Sequence, residues 1–207
     1  MKELLFVTTN EKKFEEVKEV LKEYGIKLKQ SKLEMVEPDL DTIEDIALEK
    51  AKIAFRKLKQ PLIVEDTGVY FKAYKNFPGP MAKRVYKSLG FAGIFRLLKG
   101  RKRTGGLKSA FCLASSARNF KIFTGEMHGR FTKSIQGKSI HKVPYTNIFI
   151  PNGQRKTVGR LSLKEKNQLS QRAKAARKIG EFLGGGKCKK RIFAGVGACS
   201  ALRTTSY

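Results

Sequence analysis

Acidic residues all but vanish from the chain after residue 66. Residues 1–66 hold 15 of the 18 acidic residues and 13 basic ones, a net of −2. Residues 67–207 hold only Glu126, Glu165 and Glu181 against 31 basic residues, a net of +28. Such a half calls for an anionic partner or milieu: nucleoside triphosphates, nucleic acid or high intracellular salt. Cysteine is scarce too. Cys112, Cys188 and Cys199 show no metal-ligand spacing, and their odd number argues against a closed disulfide framework. No apolar run approaches the roughly 18 residues needed to span a bilayer. The apolar start, Leu4 to Val7, is far too short for a signal peptide, so the expectation is a soluble, cytoplasmic protein that binds no membrane. No internal repeat is visible. What remains is ample: 207 residues, 41% of them hydrophobic, enough to bury a core in one large domain or two small lobes.

The chain is organised around Leu62-Ile63-Val64-Glu65-Asp66-Thr67-Gly68-Val69-Tyr70-Phe71. Apolar residues flank two adjacent carboxylates, and Pro61 sits where it cannot interrupt a central strand. The run predicts a buried strand that carries acid to its end, turns on Gly68 and resumes. Burying such carboxylates without partners is costly. A divalent cation such as Mg²⁺, which prefers hard oxygen ligands, is one partner; a lysine or water is the other.

Around it the pattern alternates. Leu4–Val7 predicts a first strand. Glu11–Tyr24 predicts an amphipathic helix capped by Asn10 and ended by Gly25. The amides at that helix start form a phosphate seat, with Lys13 in its first turn. Ile26–Val36 predicts a second strand, Glu37–Asp41 an acidic loop, and Ile43–Leu58 a helix capped by Thr42. Lys50 lies on that helix's apolar face, where snorkelling is the simplest account. Residues 81–98 predict two short helices broken at Gly90. Residues 100–106 predict a basic solvated loop. Residues 109–114, 120–124 and 129–131 predict antiparallel strands with a turn near Asn119. Residues 135–143, with His141, predict a basic loop, and Ile148–Ile150 a strand. Leu161–Leu183 predicts one long helix with a Ser162/Glu165 capping box. Residues 184–207 read as an appended basic, glycine-rich tail with the composition of a disordered segment.

Several motifs match a known family in order and spacing: Thr8-Thr9-Asn10-Glu11-Lys12-Lys13, Val64-Glu65-Asp66-Thr67-Gly68, Phe77-Pro78-Gly79, Phe123-Thr124-Gly125 with Gly129-Arg130, and Glu165 to Arg172. Over residues 3 to 183 the chain resembles the inosine triphosphate pyrophosphatase family. The resemblance implies an α/β fold: an elongated mixed central sheet flanked by helices, and two lobes with a nucleotide cleft between them. It implies Mg²⁺-dependent hydrolysis of non-canonical purine nucleoside triphosphates (ITP, dITP, XTP) to monophosphate and pyrophosphate, by a homodimer. Carried over residue by residue, Asp66 is the central acid with Glu65 beside it, and Asp39 and Asp66 hold the metal. Thr8, Asn10, Lys13, Lys50, Thr67, Gly68, Lys166, Gln171 and Arg172 contact the nucleotide. Asp39 stands where the family has a glutamate, one methylene longer. The match moves Lys50 from snorkelling toward a phosphate contact.

Three departures gather near the expected purine pocket. The family's Gly-Phe-Gly-(Tyr/Trp)-Asp-Pro is here Lys142-Val143-Pro144-Tyr145-Thr146-Asn147. Its Ser-His-Arg is Ser170-Gln171-Arg172. Its Ala-Glu-Met is Gly159-Arg160-Leu161. Loss of a stacking aromatic removes of order 1–3 kcal/mol per base, and Gln171 cannot change charge near neutral pH. Three accounts stay open: a different or broader set of nucleotides, with Tyr145 as the stacking residue; a weak or inactive copy; or a later half turned to nucleic-acid binding, the least favoured.

Overall fold

The computed structural model describes residues 2–136 and 144–184. The expectations for Lys142, Val143, His141 and the tail from residue 185 lie outside the described residues. A seven-stranded mixed sheet runs in the order β2-β1-β3-β5-β6-β7, with the short β4 beside β3. The strands are β1 (Lys2–Val7), β2 (Ile26–Ser31), β3 (Leu62–Phe71), β4 (Pro78–Gly79), β5 (Thr104–Ser116), β6 (Asn119–Phe131) and β7 (Phe149–Pro151). The helices are α1 (Glu11–Lys22), α2 (Ile43–Leu58), α3 (Ala82–Leu97), α4 (Leu163–Leu169) and α5 (Gln171–Gly184). β1 pairs in parallel with β2 and β3, and the rest of the sheet is antiparallel.

Three apolar cores surround this sheet. On one face Val17, Val20 and Leu21 of α1 and Ala173, Ala176 and Ile179 of α5 meet Phe6, Ile63, Phe111 and Phe123. On the other face Ile43, Ala47, Ala51 and Ala54 of α2 meet Val7, Leu62, Val64 and Cys112. At the far end Phe71, Phe131, Tyr145, Phe149 and Ile94 of α3 form the third. Cores at the two ends of one sheet give the expected two-lobed α/β arrangement. The helix caps follow the sequence: Asn10 accepts from Lys13 N, Thr42 from Asp45 N, and Ser162 and Glu165 form the full capping box. Gly90 breaks α3 at φ 58°, ψ −170°.

Four expectations are corrected. β3 does not turn at Gly68: it pairs with β5 without interruption from Leu62↔Ala114 to Phe71↔Gly105, and a ladder of that length holds the glycine extended. β2 stops at Ser31 rather than Val36. The short strands at 109–131 are one long hairpin, β5 and β6, which absorbs Thr104-Gly105-Gly106 from the expected loop. The expected helix over 161–183 is two helices, because Ser170 is extended at φ −67°, ψ 149°. Its hydroxyl then accepts from Ala173 N at 3.2 Å and starts α5.

Candidate active site

Side chains alternate across β3, so adjacent Glu65 and Asp66 point to opposite faces of the sheet. Each meets a different set of cations.

Glu65 points toward α1 and α5, and its side chain is 0% exposed. Its Oε1 accepts from Thr67 Oγ1 at 2.5 Å, Ser109 Oγ at 2.8 Å and Arg172 Nε at 3.1 Å. Lys13 Nζ lies 2.7 Å from Oε2. Arg172 Nη1 also donates to Glu16 Oε2 at 2.5 Å, and Lys166 Nζ donates to Glu16 Oε1. The result is a buried chain of alternating charge: Lys166, Glu16, Arg172, Glu65, Lys13. Burial opposes ionisation of Glu65, but the charges of Arg172 and Lys13 overcome it and hold the carboxyl well below its usual range. Glu16 is likewise lowered against its own burial by Arg172 and Lys166. Burial is the larger influence on Lys166 and lowers its pKa despite Glu16.

The break at Ser170 makes this chain of charges possible. In one continuous helix, residues 166 and 172 would project about 120° apart. The extended Ser170 re-aims α5 so that both cations reach Glu16. Gly125 then lets α5 lie against β6, since a Cβ there would stand 2.1 Å from the Gln171 carbonyl oxygen.

Asp66 points toward α2. Lys50 Nζ donates to Asp66 Oδ1 at 2.9 Å and to Glu37 Oε1 at 2.6 Å. Burial raises the pKa of Asp66 more than Lys50 lowers it. Lys50 is itself raised, Asp66 and Glu37 outweighing burial, and its hydrogen bond lowers Glu37. The lysine on the apolar face of α2 therefore makes ion pairs instead of snorkelling.

Of the residues expected to hold phosphate, Thr8, Asn10 and Lys13 sit together at the start of α1. Thr8 Oγ1 accepts from Asn10 N at 3.2 Å, and Asn10 caps α1 beside Lys13. Thr67 is committed to Glu65, and Gly68 is buried within β3. Asp39 is not brought to Asp66 by any contact: its side chain is 86% exposed and 3.8 Å from Arg84. Glu37, two residues earlier, shares Lys50 with Asp66 instead. Tyr145, expected to stack on the base, is placed in the third core. It is 2% exposed, its hydroxyl donates to the Ala82 carbonyl at 3.1 Å, and its ring packs near Phe71 and Tyr86. Thr146 and Gln171 are also buried. A Cβ at Gly159 would stand 2.5 Å from Asn147 Oδ1, so the change from alanine to glycine there goes with Asn147.

Sequence reasoning missed Glu16, Glu37 and Ser109. Glu16 was within reach, because it lies on the apolar stripe of α1 one turn before Val20. Ser109 opposes Thr67 in the β3–β5 register and had no separate signal. Glu37 sits in an irregular loop where periodicity says nothing.

The family model described as the Ham1 family matches residues 4–182. The chain belongs to the Ham1 family. The motif resemblance and this match agree. Among Ham1-related proteins, one from Saccharolobus solfataricus named dITP/XTP pyrophosphatase is 36% identical over 177 residues, covering 86% of this chain and 91% of the relative. Another of that name from Hyperthermus butylicus is 35% identical over 181 residues, covering 87% and 94%. The HAM1 protein of Coxiella burnetii superposes with a TM-score of 0.77 at 22% identity, covering 88% of this chain and 98% of that one. The Staphylococcus aureus Ham1 protein does so at 0.73 and 23%, covering 89% and 99%. These two show the fold.

Proposed function

We propose that this Ham1 chain hydrolyses non-canonical purine nucleoside triphosphates such as dITP and XTP to the monophosphate and pyrophosphate. The observation that carries the reading is the division of labour at β3: Glu65 is engaged by Arg172, Lys13 and two hydroxyls, while Asp66, on the opposite face, meets a single lysine. The names of the relatives support the same substrate class.

Thr8, Asn10, the α1 amides and Lys13 seat the triphosphate; helix-end amides and ammonium groups suit such an anion. Water attacks the α-phosphorus, the bond to the pyrophosphate oxygen breaks, and Asp66 accepts the water's proton. Lys13 and Lys50 balance charge on the departing pyrophosphate. Lys166 and Arg172, fixed on Glu16, and the neighbouring Gln171 line the nucleoside side.

The donors fit a magnesium ion that arrives with the triphosphate. Mg²⁺ takes one or two carboxylates plus phosphate oxygens, and Asp66 and Glu37 already converge on one cation, Lys50. Glu65 is spent on its own partners. Among the described residues no cluster of three or more candidate ligands forms, so a protein-only cage does not fit. When bound, the ion neutralises phosphate charge; the holding residues would be Asp66 and Glu37. The reading also carries a homodimer in the cytoplasm, with light scattering as the check on assembly. No described helix is long and apolar enough to cross a membrane.

The test is pyrophosphate release across a panel of nucleoside triphosphates with and without Mg²⁺. Turnover of dITP and XTP well above dATP is expected. Absence of turnover on every member would overturn the enzyme reading.

A further inference from the structure

Most of the positive charge of the later half lies outside the site at β3. One place where charge and shape coincide is the turn end of the β5–β6 hairpin. Asp66 pairs with Ala110 across β3 and β5. The turn at Ala117 lies seven residues further along, roughly 20 Å at the rise of a strand. There, Glu49, Lys52, Phe55 and Arg56 of α2 and Ala117 and Phe120 of the hairpin line an open cavity of about 420 Å³. Phe55 and Phe120 stand edge to face with centroids 6.5 Å apart. Positions 52, 55 and 56 share one face of α2 by helical spacing, so an aromatic ring and two exposed cations line the same side of the cavity. Arg118 is exposed at the turn beside Ala117. Glu49 holds the cations only loosely, Lys52 at 3.4 Å and Arg56 at 3.9 Å.

We infer that this cavity binds single-stranded nucleic acid, one base against Phe55 and Phe120 and the flanking phosphates on Lys52, Arg56 and Arg118. An aromatic wall with cations alongside is how strands are held without sequence preference. A strand is favoured over a free nucleotide because the rest of the later half adds long-range attraction that only a polyanion uses fully. The site is separate from Asp66, so strand binding and hydrolysis are independent activities of the chain.

The experiment measures anisotropy of a labelled oligothymidylate of about 12 nucleotides with the full chain as salt rises. Three neutralised phosphates give a slope of log K on log salt near −2. Lys52→Gln with Arg56→Gln should remove about 1.4 from that slope. Phe120→Leu should weaken binding about tenfold, and Glu49→Gln should tighten it by freeing both cations. Pyrophosphate release should be unchanged in all of these variants, which also reports that they are folded. Binding that survives Lys52→Gln/Arg56→Gln undiminished would overturn the site. Equal affinity for inorganic polyphosphate, for dTMP or for phosphatidylserine vesicles, with no effect of Phe120→Leu, would overturn the nucleic-acid assignment.

Discussion

Glu65 and Asp66 are neighbours in the chain and answer to different cations: Arg172 and Lys13 hold Glu65, and Lys50 alone among the described residues pairs with Asp66. Substituting them should therefore have opposite signatures. Asp66→Asn removes the proton acceptor and should lower kcat about 10²- to 10⁴-fold. It should leave stability unchanged or higher, because burial already makes the ionised form costly. Glu65→Gln leaves Arg172 with one carboxylate in a buried site and should destabilise by about 3–5 kcal/mol, the range for breaking a buried pair. Urea unfolding and steady-state kinetics on both variants separate the two. Equal loss of stability in both would show that the pair acts as one unit.

Acid should unfold the protein through the Glu16–Arg172–Glu65 chain of charges. Both carboxyls are lowered in the fold against the opposition of burial, whereas an unfolded glutamate titrates near about 4.3. Between the folded and unfolded values the unfolded chain binds more protons, so stability rises with pH there. The contribution is complete above about 4.3 and is lost as pH falls through the folded values. Asp66, raised in the fold, works in the opposite direction and offsets part of this. Melting temperature against pH should fall steeply for the natural sequence on the acid side. Glu16→Gln should show a lower plateau and a shallower fall; an unchanged slope would remove Glu16 from the account.

The strand order around Leu62–Phe71 and the caps at Asn10, Thr42 and Ser162 were legible because period and cap chemistry are local. The break at Ser170 was not. Residues 163–183 keep helical periodicity across it, and only the shared demand of Lys166 and Arg172 for Glu16 makes the break visible. Asp66, Lys13 and Lys50 were placed by motif, and the structure gives them ion partners. Glu37 was hidden because a loop's direction is set by tertiary contacts, here Lys50. The burial of Tyr145 was not legible, because an aromatic near a gap in a motif can fill a core as well as face a base.

Glu37 and Asp39 should differ sharply despite lying two residues apart. Glu37→Gln removes a carboxylate from Lys50 and from the set that would hold the metal. Pyrophosphate release should then need more Mg²⁺ for half-maximal rate, with a fall of about tenfold or more at fixed Mg²⁺ if one charged ligand is lost. Asp39→Asn alters an exposed side chain facing Arg84 and should change rate and stability little, within about 0.5 kcal/mol. Mg²⁺ titration of both variants decides. The reverse ranking would restore Asp39 as the ligand from the acidic loop.

Tyr145 offers the clearest separation of core from pocket. Its hydroxyl satisfies the Ala82 carbonyl, and its ring fills the core with Phe71 and Tyr86. Tyr145→Phe keeps the ring and removes one hydrogen bond to the Ala82 carbonyl, at a cost of about 0.5–1.5 kcal/mol. Tyr145→Ala empties the space and should cost about 3–5 kcal/mol, as for other large aromatic deletions. A residue that stacked on the base would behave otherwise: the alanine variant would raise KM for every nucleotide while barely moving the unfolding midpoint. Denaturant unfolding with KM for dITP on the same preparations reads both quantities. Large destabilisation with KM nearly unchanged in Tyr145→Ala places the residue in the core; a raised KM with intact stability would return it to the purine pocket.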